Sequence, residues 1–221
     1  MRILVVGAGA TGGYFGGRLL QAGRDVTFLV RPKRAELLAK NGLVIKSPHG
    51  DMTLGNPPTV QATGLRQTFD LVLLSCKAFD LEEAITSFAR AAEPRTAILP
   101  LLNGMRHLET LDATFGRERV LGGLCSLAVT LNEKREVVHL APMQSLRFGE
   151  RDGGTSERVR GDRRSFRRRQ LRSTGVRNHH SGHVGKMGVS GDARRRDLRD
   201  ARIHRPDRRC AWRTRFHPCR T

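Results

Sequence analysis

Short apolar runs alternate with helical segments along the first half of the chain. The apolar runs have the length and branched side chains of buried parallel strands, and they lie at residues 2–6, 25–30, 70–77 and 96–104, the last ending in a turn. Apolar residues recur at helical spacing between these runs, which predicts helices at residues 11–22, 33–42, 80–92 and 105–116. Because strand and helix alternate through residue 116, we predict an α/β fold with a doubly wound parallel sheet and helices on both faces.

Further strands are predicted outside this alternation. Residues 43–61 have the pattern of a short β excursion with turns at SPHG and GNPP. Residues 120–132, 136–142 and 145–150 are expected to form three more strands.

Charge and apolar content divide the chain near residue 150. Residues 151–221 hold 22 Lys and Arg against 7 Asp and Glu, which is +15 of the chain's net +19. Only 9 of these 71 residues are Leu, Ile, Val or Phe, a share below the ~20% expected of a packed core. We therefore expect a folded domain at residues 1–150 and a largely disordered basic tail at residues 151–221. Such a tail could bind nucleic acid through phosphate contacts, although its aromatic residues are too sparse for a stacking platform.

A glycine-rich motif joins the first predicted strand to the first predicted helix. Gly7, Gly9, Ala10, Thr11 and Gly12 belong to the G-x-G-x-x-G string GAGATG. In this context the free N–H groups of the helix N-terminus suit the pyrophosphate of a dinucleotide. The alternative is a glycine-rich turn in an unrelated α/β domain.

The end of the second predicted strand indicates which dinucleotide is bound. An NAD site usually has Asp or Glu there, about 20 residues beyond the glycines, but this chain has Arg31 followed by Lys33 and Arg34. A guanidinium can pair with a ribose 2′-phosphate through charge-assisted hydrogen bonds. We therefore predict NADP rather than NAD, with the alternative that these three cations are merely solvated.

Neither a metal site nor a membrane segment is predicted. The four cysteines form no CxxC pair, and the cluster His179, His180 and His183 has no acidic or cysteine ligand nearby in the sequence. No apolar run approaches the ~18 residues that a membrane-spanning helix needs, and the glycines that follow ILVV argue against a signal peptide. The sequence therefore predicts a cytoplasmic protein with no metal.

Together these motifs resemble the N-terminal domain of ketopantoate reductase (2-dehydropantoate 2-reductase). The resemblance covers residues 1 to about 160 and is carried by MRILVVGAGATGGYFGGRLLQAGRDVTFLVR, DLVLLSCKAFDLEEA, LPLLNGMRHLETL and GRERVLGG. It implies NADPH-dependent reduction of ketopantoate, or of a similar 2-keto acid, in pantothenate and coenzyme A synthesis. Lys77 matches the family's lysine near the cofactor. Asn103 matches the asparagine that helps position nicotinamide and substrate, although Leu102 stands where the family has glutamine.

Two alternatives remain open for these residues. Lys77 could be a strand-end lysine that simply reaches water, and Asn103 could belong to an ordinary Asn-Gly turn.

The resemblance stops near residue 160. The family's second half is an α-helical domain that supplies a catalytic lysine and a substrate-binding glutamate, but residues 161–221 contain only Lys186 and no glutamate. Back-translation with GC-rich codons, read one base out of frame, can turn GDRRSFRRR into AIAEAFAGA and HVGKMGVSGDARRR into MWEKWVFLATLAAA. Both products resemble the start of that helical domain. We therefore interpret the tail as the product of a frameshift near residues 160–161 and expect this chain to be inactive.

Two alternatives to the frameshift also remain. The tail could be a genuine basic arm, or the chain could be a non-catalytic NADP-binding remnant whose tail binds nucleic acid.

Overall fold

Two β-sheets form the core of the part of the chain that the structure describes. The computed structural model describes residues 1–153. The strands in this range are β1 Arg2–Val6, β2 Asp25–Leu29, β3 Leu43–Lys46, β4 Met52–Leu54, β5 Thr59–Val60, β6 Leu71–Leu74, β7 Ala97–Pro100, β8 Gly122–Leu131 and β9 Val137–Gly149. The α-helices are α1 Ala10–Gln21, α2 Pro32–Asn41, α3 Leu81–Phe88 and α4 Arg106–Phe115. Single 3₁₀ turns lie at Ala62–Gly64, Ala78–Asp80, Ala89–Ala91 and Arg117–Arg119.

The first sheet is the predicted parallel one. Its strand order is β5-β2-β1-β6-β7, and every neighbouring pair is parallel. From β1 the chain first adds strands on one side of the sheet and then crosses to the other side, so the connections diverge at β1. Ligands of open α/β sheets bind outside the carboxyl ends of the strands at such a point. The predicted α/β class and Rossmann-like sheet are confirmed.

The second sheet has the order β4-β3-β9-β8 and corrects one prediction. Residues 136–142 and 145–150 do not form separate strands, because β9 runs without a break from residue 137 to residue 149. Its pairing with β8 jumps from Leu127 opposite Gln144 to Val129 opposite His139, which leaves residues 140–143 in a bulge. Pro142 has no N–H for a ladder, and the bulge accommodates it without ending the strand.

The parallel sheet has a hydrophobic core on each face. On one face α1 and the second sheet pack against it through residues such as Phe15, Ile45 and Phe148. On the other face α3 and α4 pack against it, and the rings of Phe88 and Phe115 stack with centroids 5.3 Å apart. Close packing on both faces fixes the ends of the parallel strands relative to one another.

Several expectations fall on residues beyond position 153. The basic tail (apart from its first three residues), the histidine cluster at residues 179–183 and the proposed frameshift at residues 160–161 all lie outside the described residues. Within residues 1–153 no helix is both long and apolar enough to cross a bilayer.

Candidate functional site

The residues singled out from the sequence lie along one edge of the parallel sheet. Strands β2, β1, β6 and β7 are neighbours in that order, with Val6 opposite Leu29 and Leu74 opposite Pro100. The residues that follow these strand ends are, in the same order, Arg31, the glycine loop at 7–12, Lys77 and Asn103. At about 4.8 Å between strands, four strand ends span about 14 Å. The edge is therefore long enough for an extended ligand.

The glycine loop leaves the first turn of α1 open to a ligand. Gly7 has a positive φ of +92°, a conformation that favours glycine, and its N–H donates to the carbonyl of Leu29 at 2.9 Å. Gly9 is the N-cap of α1, and no side chain among the described residues caps this end of the helix. The first-turn amides and the positive end of the helix dipole are thus available to an anion.

Gly12 is packed tightly whereas Gly9 faces open space. A Cβ at Gly12 would lie 2.2 Å from both the Gly7 carbonyl oxygen and Ser75 Oγ. A Cβ at Gly9 would meet no atom of residues 1–153 within 4 Å. The loop is therefore in close contact with β6 at Gly12 and has free room on the side of Gly9.

Ser75 holds the glycine loop against the end of β6. It is not among the site residues predicted from the sequence. Its Oγ lies 2.8 Å from the Val6 carbonyl oxygen and 3.1 Å from that of Gly7. A hydroxyl has one hydrogen, so this donor is shared between the two carbonyls. The available signal was a small hydroxyl residue directly after a buried strand, next to the residue pair Cys76 and Lys77.

Arg34 fixes the glycine loop from the other side. Its Nε donates to the Ala8 carbonyl at 2.9 Å and its Nη1 to the Arg135 carbonyl at 3.3 Å, in the turn between β8 and β9. Its Nη2 is buried and has no hydrogen-bond partner among the described residues. Burial, and secondarily the charge of Arg135, lower the pKa of Arg34. The alternative that this cation is merely solvated therefore does not hold for Arg34.

Arg31 lies at the N-cap of α2 and is held by two carboxylates. Its Nε donates to Glu83 Oε1 at 3.2 Å, and its Nη2 donates to Glu83 Oε2 at 2.5 Å and to Asp80 Oδ1 at 2.9 Å. The hydrogen bonds to Asp80 and then Glu83, with the charges of both, raise the pKa of Arg31. The Arg31 side chain remains 63% exposed. Lys33 is likewise exposed.

Lys77 and Asn103 stand three residues beyond the paired ends of β6 and β7. Both are exposed, and Lys77 is the N-cap of the 3₁₀ turn at Ala78–Asp80. Asn103 lines a cleft of about 750 Å³ together with Ala78, the residue after Lys77. Phe79 and Met105 also line this cleft, and they are 87% and 72% exposed. The cleft thus joins the segments after β6 and β7.

Burial shifts the pKa of two titratable groups in the segments that form this cleft. Burial, and then the charge of Arg151, lower the pKa of His107, which lines the cleft. Burial raises the pKa of the Cys76 thiol to about 11. Cys76 is thus protonated at neutral pH and lacks the thiolate that a nucleophilic cysteine requires. Among residues 1–153 no three His, Cys, Asp or Glu side chains are grouped as metal ligands.

Comparison with known proteins identifies the family. A family profile described as "Ketopantoate reductase PanE/ApbA" matches residues 3–153. The chain belongs to the ketopantoate reductase family. Solved structures of this family share the Rossmann-like parallel sheet.

Individual relatives agree with this assignment. The "Uncharacterized oxidoreductase YkpB" of Bacillus subtilis is 44% identical over 166 residues, which is 75% of this chain and 54% of the relative. A 2-dehydropantoate 2-reductase of Pyrococcus horikoshii is 31% identical over 133 residues, 60% of this chain and 42% of the relative. The crystal structure of 2-dehydropantoate 2-reductase from Geobacter metallireducens has a TM-score of 0.71 at 35% identity, covering 79% of this chain and 58% of that chain. The chain spans about half the length of these curated relatives.

The edge of the sheet fits a nicotinamide dinucleotide. The uncapped amides at the start of α1 suit a pyrophosphate, and the open space beside Gly9 leaves room for it. The cleft at Asn103 is of a size that holds a small ring or acid.

Proposed function

We propose that this edge binds NADPH for the reduction of 2-dehydropantoate, or of a similar 2-keto acid, a reaction that also needs the family's helical half. The observation that carries the proposal is the order of residues along the edge: Arg31, the glycine loop, Lys77 and Asn103. A cation, an anion-binding helix end and the cleft that Asn103 lines follow one another in the order in which a dinucleotide presents adenosine phosphate, pyrophosphate and nicotinamide.

Each group has a distinct proposed role in holding the cofactor. The N–H groups of Ala10, Thr11 and Gly12 donate to the pyrophosphate, and Gly9 leaves the space that the phosphates occupy. Arg31 donates to the 2′-phosphate, which distinguishes NADPH from NADH.

Lys77 and Asn103 act at the reacting end. The cofactor supplies a hydride to the keto carbon when it is bound, which leaves negative charge on the keto oxygen. Lys77 carries an ammonium group that can stabilise this charge, and the Asn103 amide can orient the nicotinamide and the substrate by donating and accepting hydrogen bonds. A carboxylate on the substrate would also be attracted by the Lys77 charge.

A titration with the full chain tests cofactor choice. Binding of NADPH and of NADH is followed by nucleotide fluorescence for the parent, for Arg31→Ala and for the matched control Lys33→Ala, an exposed cation two residues away. We expect the parent to bind NADPH more tightly than NADH. The difference between the two affinities should be smaller in Arg31→Ala and unchanged in Lys33→Ala. Equal affinity of the parent for both nucleotides would contradict the choice of NADPH.

We further propose that residues 161–221 are a frameshift product without an evolved role, so that the folded domain ends near residue 150. The proposal is supported by the absence of glutamate and the single Lys186 in this segment, and by the family-like text of the shifted frame. A positioned proton donor contributes about 10²–10⁴ in rate, and the family's donor belongs to the helical half. We therefore expect almost no ketopantoate turnover by this chain.

Sequencing the DNA around codons 155–165 tests the frameshift directly. An extra or missing base, followed by an open frame encoding a helical domain, is the expected result. A clean sequence whose shifted frame soon meets stop codons would instead support a genuine basic arm, and salt-sensitive DNA binding lost on deletion of residues 161–221 would then favour a nucleic-acid role.

A further inference from the structure

The ion pairs of Arg31 connect the two chain segments that flank the glycine loop. Strands β2 and β6 both pair with β1, one on each side of it. Arg31 follows β2 by two residues, whereas Asp80 and Glu83 follow β6 on the turn and first helical residues beyond Lys77. The contacts therefore link the segments on either side of the place where a dinucleotide would enter.

The two carboxylates occupy different donor edges of the guanidinium. A guanidinium has two forks, Nε with Nη2 and Nη1 with Nη2, and each can hold an oxyanion with two hydrogen bonds. Glu83 accepts from Nε and Nη2 and so occupies the first fork. Asp80 accepts from Nη2, which the second fork, formed by Nη1 and Nη2, also requires. Only Nη1 has no hydrogen-bond partner among the described residues. A phosphate can thus obtain two hydrogen bonds from Arg31 only where a carboxylate withdraws.

We propose that Asp80 and Glu83 set the cofactor selectivity of this protein by competing with the 2′-phosphate for the Arg31 guanidinium. The inference rests on the proposed binding of NADPH at this edge. A ribose without the phosphate offers only hydroxyl groups, which do not displace a carboxylate from a guanidinium. Binding of NADPH therefore includes breaking the ion pairs of Arg31, and binding of NADH does not.

The expected size of the effect follows from the exposure of the pair. Arg31 and Glu83 are 63% and 67% exposed, so solvent screens both the attraction that is lost and the repulsion between carboxylate and phosphate. We expect each neutralising substitution to raise the affinity for NADPH about three- to tenfold. The affinity for NADH should change less than about twofold, since the ion pair persists in that complex.

The experiment compares isosteric variants of the two carboxylates in the full chain. Dissociation constants of NADPH and NADH are measured by fluorescence titration for Asp80→Asn and Glu83→Gln. Glu36→Gln is the matched control, because it removes one exposed negative charge on α2 at a residue that makes no described contact with Arg31. Circular dichroism and thermal unfolding confirm that each variant is folded.

The expected result is a higher ratio of NADPH to NADH affinity in Asp80→Asn and Glu83→Gln, with the ratio of Glu36→Gln equal to that of the parent. The gain in NADPH affinity from Glu83→Gln should disappear when Arg31→Ala is also present, because the guanidinium for which carboxylate and phosphate compete is then absent. A lower or unchanged NADPH affinity in both variants would overturn the proposed competition, and so would a gain in NADPH affinity that persists in the presence of Arg31→Ala. Either result would leave the proposal of NADPH binding intact. Failure of the parent to bind either nucleotide would overturn the proposed function as well.

Discussion

Arg31, at the N-cap of α2, and Arg34, in the first turn of that helix, lie about one helical turn apart, yet their surroundings differ completely. Arg34 is half-buried and donates to backbone carbonyls of the glycine loop and of the β8–β9 turn. Arg31 is exposed, and within residues 1–153 its guanidinium donates only to side-chain carboxylates. Backbone partners cannot be exchanged without moving the chain, whereas exposed carboxylates can be replaced by a ligand. Arg34 therefore shapes the site, whereas Arg31 is available for selectivity.

The largest expected effect comes from adding a methyl group at Gly12, where the glycine loop packs against the end of β6. Gly12→Ala places a Cβ 2.2 Å from a backbone oxygen, so the loop or α1 has to move. We expect the free energy of unfolding to fall by about 1–3 kcal/mol and the binding of both nucleotides to be lost. Urea denaturation and fluorescence titration measure the two losses. Gly9→Ala is the control: its Cβ meets no protein atom, so it should lose nucleotide binding with little loss of stability.

Removing the Arg34 contacts is expected to weaken the binding of both nucleotides equally. Arg34→Met keeps the apolar stem and removes the donors to Ala8 and Arg135. Affinity for NADPH and NADH should fall together, by about three- to tenfold, since hydrogen bonds from charged donors contribute about 1.5–3 kcal/mol and this side chain is only half-buried. Titration with both nucleotides measures this, and a selective loss of NADPH binding would show that Arg34 itself contacts the 2′-phosphate.

A smaller effect is expected at Ser75. Ser75→Ala removes the hydroxyl donor shared by the Val6 and Gly7 carbonyls and leaves both oxygens with one partner fewer. The free energy of unfolding should fall by about 1 kcal/mol. Chemical denaturation of parent and variant tests this value, and Ser75→Thr, which restores the hydroxyl, serves as a comparison. An unchanged stability in Ser75→Ala would indicate that the loop holds its shape without this contact.

The smallest expected effect is a pH dependence at His107. Burial lowers its folded-state pKa below the ordinary value of 6.5, so below pH 6.5 the unfolded chain takes up a proton more readily than the folded one. The stability contributed by neutral His107 is present above pH 6.5 and is lost as the pH falls through the folded-state pKa. Thermal unfolding of parent and His107→Gln between pH 5 and pH 8 should show a shallower acid-side decline in the variant. Identical declines would assign the pH dependence to other groups.

Periodicity was enough to predict the parallel sheet, because β1, β2, β6 and β7 are short buried runs separated by amphipathic helices. The second sheet was not foreseen as a unit. Its pairing of β3 with β9 brings Ile45 next to Val137, a contact between distant parts of the chain that no local pattern specifies. Separate strands are predicted at residues 136–142 and 145–150, and only the bulge opposite Ala128 explains how β9 continues past Pro142.

The candidate site shows the same division between local and distant information. The glycines and Arg31 were predicted from a motif and from position relative to a strand. The partners of Arg31 could not be predicted, because Asp80 and Glu83 lie 49 and 52 residues away along the chain. For a similar reason the sequence leaves open that Arg34 is merely solvated: its backbone partners belong to the glycine loop and to a turn 101 residues away.

The proposed dinucleotide site is formed by four strand ends. Hydrogen exchange of the full chain with and without NADPH tests this arrangement. We predict that NADPH slows exchange at the glycine loop and start of α1, at the end of β2, and in the segments after β6 and β7, that is at residues 7–13, 30–34, 75–80 and 102–105. Exchange in β8 and in β9 beyond the bulge should be unchanged. Protection confined to the β8–β9 region, or none at saturating NADPH, would contradict the account.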